Sequence, residues 1–265
     1  MNPKIAYIFR YIKYLWMAKH KRGHGLHSPF LFNLYCEIIE PRPLYYAFVD
    51  IELIRDDMAD NKSLVEIEDF GAGSVAYKNN NRRICDVYNS ASLDRKYGEL
   101  LFRLTHHLRA KTILELGTCL GISTLYLART DSRAKVITIE GAKNLSIIAQ
   151  KNFEKSLVKN IIAHTGEFDV VLPKVLRENP SIDVVYLDGN HRYEPTMKYF
   201  NMILPNLHNE SMIVFDDIHW SPEMEKAWKE ISENQSVTLS LDLFRFGIVF
   251  FKKELKKEHF ILQFS

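Results

Sequence analysis

Residues 111–140, KTILELGTCLGISTLYLARTDSRAKVITIE, decide the fold. Thr112 to Leu116 is a short apolar run with Glu115 at its end, Gly117 and Gly121 bracket a turn, and Ile122 to Ala128 has helical spacing. Lys135 to Glu140 returns as a β-branched strand. Strand, turn, helix and strand make a right-handed crossover between parallel strands, and such sheets bind ligands beyond the carboxyl ends of their strands. The glycines therefore stand where a ligand would sit.

The turn narrows the ligand. A dinucleotide site uses GxGxxG to bring backbone close to a pyrophosphate, whereas this chain has Gly117-Thr118-Cys119-Leu120-Gly121 and no phosphate-loop lysine. A ligand without phosphates fits better. Glu140 lies 140 − 117 = 23 residues beyond the first glycine, where a carboxylate can accept both ribose hydroxyls. With Glu115 at the first strand end, the pattern points to a nucleoside carrying a cationic amino-acid tail. The plain alternative is an α/β domain that uses its glycines only to turn tightly.

At ELGTCLGIS and ITIE the chain resembles class I S-adenosylmethionine-dependent methyltransferases, closest to small-molecule O-methyltransferases of the catechol and caffeoyl-CoA type. The resemblance runs from about Tyr97 to Lys252. It implies that Glu115, Gly117 and Ser123 lie near the methionine end of the cofactor and Glu140 on its ribose, with Thr118 and Gly121 also binding the cofactor. It also implies an α/β Rossmann-like fold, with a seven-stranded, mostly parallel sheet whose last strand is reversed. The turn Gly166-Glu167-Phe168-Asp169 falls where that family places adenine, so Phe168 is expected to stack and Glu167 or Asp169 to accept from the exocyclic amine. Helix capping by Asp169 is the structural alternative, with Pro173 expected in the following helix's first turn.

Two further strand ends carry chemistry. YLDGNHRYE at 186–194 and VFDDIHW at 214–220 put Asp188, Asp216 and Asp217 at the carboxyl ends of neighbouring strands. Three carboxylates that converge repel one another unless a cation sits among them, and an all-oxygen donor set favours Mg²⁺ over zinc. His191 can take the proton that a hydroxyl loses as it attacks a methyl sulfonium. The resemblance strengthens the metal reading, because metal-dependent O-methyltransferases have acids at the three matching positions. Three residues after the first of them the catechol type has lysine and a sugar-modifying group has histidine, as here. Against this stand a capping or cofactor-positioning role for Asp188 and a supporting hydrogen-bond role for His191. His219 and Trp220 are candidates for the acceptor pocket.

Composition bounds the rest. The 265 residues are 46% hydrophobic, enough for one large α/β domain with an extension. A net charge of +2 provides no general field for nucleic acid. Cys36, Cys85 and Cys119 are an odd number without metal-ligand spacing, which fits a reducing, cytoplasmic setting. No signal-peptide pattern opens the chain, and Arg10 and Lys13 interrupt the first apolar run too early for a membrane span.

The expected organisation is a helical cap and lid segment over residues 1–95 and the cofactor-binding domain over 96–265. Ile5 to Lys19 reads as an aromatic, basic helix that packs on the domain or a dimer partner, or lies on a membrane surface. His20, His24 and His27 follow in a glycine loop without acids or cysteines at familiar metal spacing. Asp69-Phe70-Gly71-Ala72-Gly73-Ser74 imitates a cofactor motif but lacks the crossover unit, and with the KNNNRR run it reads as a connector or lid. The function that follows is methylation of a small-molecule hydroxyl, with sugar favoured over catechol. Metal-free or N-methylation, a non-catalytic cofactor-binding module and, more distantly, a nicotinamide dehydrogenase are the alternatives.

Overall fold

The computed structural model describes residues 3–18, 25–41, 43–67 and 81–264. The chain forms two compact units, one of residues 1–42 with 183–265 and one of residues 43–182. Helix α1 (Pro3–Met17) opens the first unit, and α2 (Pro29–Leu34) runs on into a π-helical turn at Tyr35–Ile39. Ser28 caps α2 by accepting from the Leu31 amide, and Pro29 takes the first helical position, where a missing N–H costs nothing.

The unit of residues 43–182 begins with α3 (Ala47–Asp60), a hairpin of β1 (Leu64–Glu66) and β2 (Asn81–Arg83), α4 (Ile84–Ala91) and α5 (Arg95–His107). Then come β3 (Thr112–Leu116), α6 (Ile122–Ala128), β4 (Lys135–Glu140), α7 (Lys143–Lys155), β5 (Ile161–Thr165) and α8 (Phe168–Glu178). Strands β3, β4 and β5 pair in that order and all in parallel. Ile113, Leu114, Leu116, Val136 and Ile139 are wholly buried, as expected of parallel strands covered on both faces. Phe48 of α3 meets Phe102 of α5 edge to face at 5.0 Å and Tyr126 of α6 at 5.5 Å, so the cap helix shares a core with the glycine-turn helix.

In the unit completed by residues 183–265, β6 (Ile182–Leu187), α9 (Tyr193–Ile203), β7 (Leu207–Phe215), α10 (Pro222–Glu233), β8 (Leu239–Leu243), β9 (Phe246–Phe250) and β10 (Glu258–Ile261) follow. The order across its strands is β10-β8-β9-β7-β6. Strand β9 runs antiparallel to both β7 and β8, while β10 runs parallel to β8. Helix α1 docks here through Tyr7, Tyr11 and Tyr14, whose rings lie 4.8 to 5.2 Å from Phe244, and the Tyr14 hydroxyl donates to the Leu262 carbonyl at 2.5 Å.

The α/β sheet, its mostly parallel start and the antiparallel closing pair agree with the sequence reading. The described residues hold eight such strands rather than seven, because Glu258–Ile261 adds an edge strand, so the reversed strand is the penultimate one. That edge strand is short, lies in a lysine-rich stretch and shows little alternation, which hid it. Residues 84–91, just beyond the KNNNRR run, form a helix that buries Ile84, Cys85 and Val87. Pro173 stands inside α8 rather than in its first turn, because the helix starts at Phe168. The Asp69–Ser74 motif and His20 and His24 lie outside the described residues.

Candidate active site

The glycine turn is held by the two acids that the sequence singled out. Gly117 adopts φ +103° and donates its N–H to the Ile139 carbonyl at 3.0 Å, tying the end of β3 to β4. Gly121 adopts φ +82°, and a Cβ there would meet the Phe153 ring at 2.5 Å. Glycine is demanded twice over at this position, by conformation and by space. Glu140 spans the turn: the Cys119 N–H donates to Oε2 at 2.8 Å and the Ala142 N–H to Oε1 at 2.9 Å. It remains half-buried.

Glu115 is completely buried and accepts from Thr124 Oγ1 at 2.5 Å and Thr138 Oγ1 at 2.6 Å on the same oxygen. Thr118 joins through its hydroxyl, 2.5 Å from that of Thr138. The acid thus organises the turn from below. Thr124 and Thr138 were not foreseen, although a threonine in the middle of the apolar β4 run is the trace they leave in the sequence. Ser123 is buried in the first turn of α6. Glu167 and Asp169 are exposed and Phe168 half-buried at the start of α8, and Asp169 occupies its first turn.

Asp188, His191, Asp216 and Asp217 are gathered in the other unit. His191 Nε2 lies 3.4 Å from Asp188 Oδ1. Tyr186, fully buried on β6, places its hydroxyl 2.9 Å from Asp216 Oδ2 and 3.2 Å from Asp188 Oδ2, linking the two acids. Arg245, in the two-residue turn between β8 and β9, donates from Nε to Asp216 Oδ1 at 2.7 Å and from Nη2 to Asp216 Oδ2 at 2.8 Å. Its Nε also stands 3.8 Å from Asp217 Oδ1. The Asp217 N–H donates to Asp216 Oδ1 at 2.8 Å, and Asp217 itself adopts φ +53°.

The electrostatics follow from burial among paired charges. Burial alone would push His191 down, but its hydrogen bond to Asp188 and the charge of Asp217 outweigh that and raise it to about 9. Burial and the neighbouring Asp216 raise Asp217 to about 6. Asp188 is raised by the same two causes, partly offset by His191. Burial opposes ionisation of Asp216 as well, yet the Arg245 guanidinium prevails and holds that carboxyl below its ordinary value.

In this arrangement Asp216 is engaged by neighbouring side chains rather than presented to a metal ion. Both oxygens of Asp216 are committed to a bidentate guanidinium, and a phenol hydroxyl adds to one of them. Among the described residues no group of three His, Cys, Asp or Glu side chains is arranged to hold a metal ion. The cation beside Asp216 is Arg245. Neither Arg245 nor Tyr186 was foreseen; the signal was an arginine in the otherwise apolar run LFRFGIVFF.

His219 and Trp220 part company. The His219 ring bridges Glu225 Oε1 at 3.1 Å and Asp242 Oδ2 at 2.8 Å and stacks on Phe244, and it lines a separate cleft of about 560 Å³ with Arg10, Lys13 and Trp228. Trp220 is largely exposed and meets Tyr7 of α1 edge to face at 6.0 Å.

Part of the chain is similar to known proteins. Residues 114–218 match a family described as a methyltransferase domain. A catechol O-methyltransferase of Niastella koreensis is 30% identical over 130 residues, which cover 48% of this chain and 58% of the relative. The chain thus matches just over half the length of that relative. An O-methyltransferase from Streptomyces achromogenes involved in tomaymycin synthesis, solved with S-adenosylmethionine, superposes with a TM-score of 0.53 at 21% identity over 61% of this chain and 82% of its own. A Podospora anserina methyltransferase bound to S-adenosylhomocysteine gives 0.59 at 16% identity over 86% and 97%. These structures share the fold. Residues 114–218, which carry the glycine turn and the paired acids, are thus similar to a methyltransferase domain, and the chain shares the fold of these solved methyltransferases.

Proposed function

We propose that the protein transfers a methyl group from S-adenosylmethionine to a hydroxyl of a small molecule, a sugar or related polyol, with His191 as the base. The observation that carries this reading is the pairing of His191 with Asp188 beside the Asp216–Arg245 pair. Glu115, Gly117, Thr118, Gly121, Ser123 and Glu140 would hold the cofactor, with Glu167, Phe168 and Asp169 toward its adenine. The acceptor oxygen forms a bond to the methyl carbon as the carbon–sulfur bond breaks, and the hydroxyl proton passes to His191. Asp188 orients the imidazole and stabilises it once charged.

With His191 neutral, as a base is before it takes a proton, Asp188, Asp216 and Asp217 against Arg245 leave 3 − 1 = 2 negative charges at the cluster when the three acids are ionised. That balance favours a neutral, hydroxyl-bearing acceptor over an anionic one. In this reading residues 1–95 serve as cap and lid and 96–265 as the cofactor-binding part, in a reducing, cytoplasmic compartment.

A Mg²⁺-assisted version is a second reading. What favours it is the raised state of Asp188 and Asp217, since carboxylates kept above their ordinary values would welcome a cation. It requires Arg245 to release Asp216.

Isothermal titration with S-adenosylmethionine, with and without Mg²⁺, followed by transfer of labelled methyl to a panel of sugars, polyols and catechols, tests both versions. Cofactor binding with transfer that His191→Asn abolishes is the expected result. Absence of cofactor binding overturns the proposal, and a Mg²⁺ signal lost in Asp217→Asn selects the second reading.

A further inference from the structure

Helix α1 has two opposed apolar faces, and its own unit covers only one. Tyr14 and Ala18 are buried and Tyr7 is half-buried, all turned toward Phe244 and Leu262. Ile5, Ile8, Phe9, Ile12, Leu15 and Trp16 are 41 to 83% exposed, with Trp16 the most open. At about 100° per residue these six fall on one arc of roughly 120°, centred away from the tyrosines. Solvent-facing positions of a helix docked on a globular unit are ordinarily polar.

The polar positions that flank this arc are cationic. On the same helical projection Lys13 borders one side and Lys4 the other. No Asp or Glu occurs before Glu37, whereas residues 1–36 contain six Lys or Arg. A continuous apolar arc, a tryptophan near the helix end, lysines at the flanking sequence positions and no acid match the boundary between lipid headgroups and acyl chains. A second copy of the same face would bring like charges together along both flanks. Helix α1 spans 15 residues, and no described helix is long and apolar enough to cross a membrane, so the helix would lie in the surface plane.

We propose that the outward face of α1 is a membrane-surface anchor that recognises anionic phospholipid, placing this methyltransferase at a bilayer. Docking through the tyrosines fixes the helix to its unit, so the apolar arc is presented preformed and binding need not pay for folding the helix.

The test is sedimentation of the full chain with vesicles of phosphatidylcholine alone or mixed with phosphatidylglycerol, at low and high salt. The expected result is binding to the mixed vesicles that salt weakens and that Phe9→Ser with Trp16→Ser reduces by about tenfold or more. Cofactor binding by the double variant, measured by titration, shows that it is folded. Binding that ignores lipid charge or the double substitution overturns the proposal. So does failure to bind any vesicle, and in that case light scattering showing a dimer that Phe9→Ser dissociates would assign the face to a second copy.

Discussion

Arg245 and Asp216, 29 residues apart in sequence, form a bidentate pair in which the guanidinium meets both carboxylate oxygens at 2.7 and 2.8 Å. The aspartate side chain has no solvent exposure and the arginine only 16%, so neither partner can turn to water if the other is lost. This pair neutralises the strand end at which the sequence had placed a metal.

Replacing Arg245 with Met should therefore strand a buried charge beside two other carboxylates. A loss of about 3–5 kcal/mol is expected, the usual effect of breaking a buried ion pair from one side. Thermal unfolding measures it. In this variant Mg²⁺ should raise the melting temperature, whereas in the wild type it should not; equal responses would refute the idea that Arg245 takes the cation's place.

His191 at about 9 is protonated at neutral pH. Its folded value exceeds the ordinary 6.5, so its contribution to stability is complete below that value and is lost as pH rises through about 9. Activity should run the other way, increasing with pH toward 9 as the imidazole becomes free to accept a proton. His191→Asn should lower transfer by about 10²–10⁴ and flatten this rise, with cofactor affinity unchanged. A profile identical to wild type would remove His191 from the chemistry.

Glu140→Gln exchanges an oxygen that accepts a backbone N–H for an amino group that cannot. Whichever way the amide settles, one turn N–H faces a donor, costing about 1–3 kcal/mol. Titration should show weakened S-adenosylmethionine binding together with a lower melting temperature. If binding weakens while stability is untouched, the carboxylate serves the ligand alone.

Gly121→Ala places a methyl group 2.5 Å from the Phe153 ring at a positive φ. Strain in the left-handed region costs about 1–2 kcal/mol, and overpacking adds about 1–3 kcal/mol. Denaturant unfolding should show a loss in this range. A shift of a few tenths would mean that α7 gives way easily at Phe153.

By itself the sequence determined the crossover unit, the paired acids and the strand ends that bear Asp188 and Asp216. Those features are local: apolar runs of strand length, helical spacing, and glycines at a turn whose positive φ no other residue adopts as cheaply. The edge strand at 258–261 was not legible because a short, lysine-rich segment becomes a strand only when β8 offers it an edge. Helix α4 was hidden in a polar stretch, its three buried residues meaningful only against the core of its unit.

The charge pairing was decided by tertiary structure alone. Nothing in the spacing says that Arg245, in a hairpin turn, would reach Asp216 rather than water, or that Tyr186 would bridge two acids from β6. A carboxylate reads the same in sequence whether a metal ion or a guanidinium neutralises it, and only packing brings one particular cation within 3 Å of it.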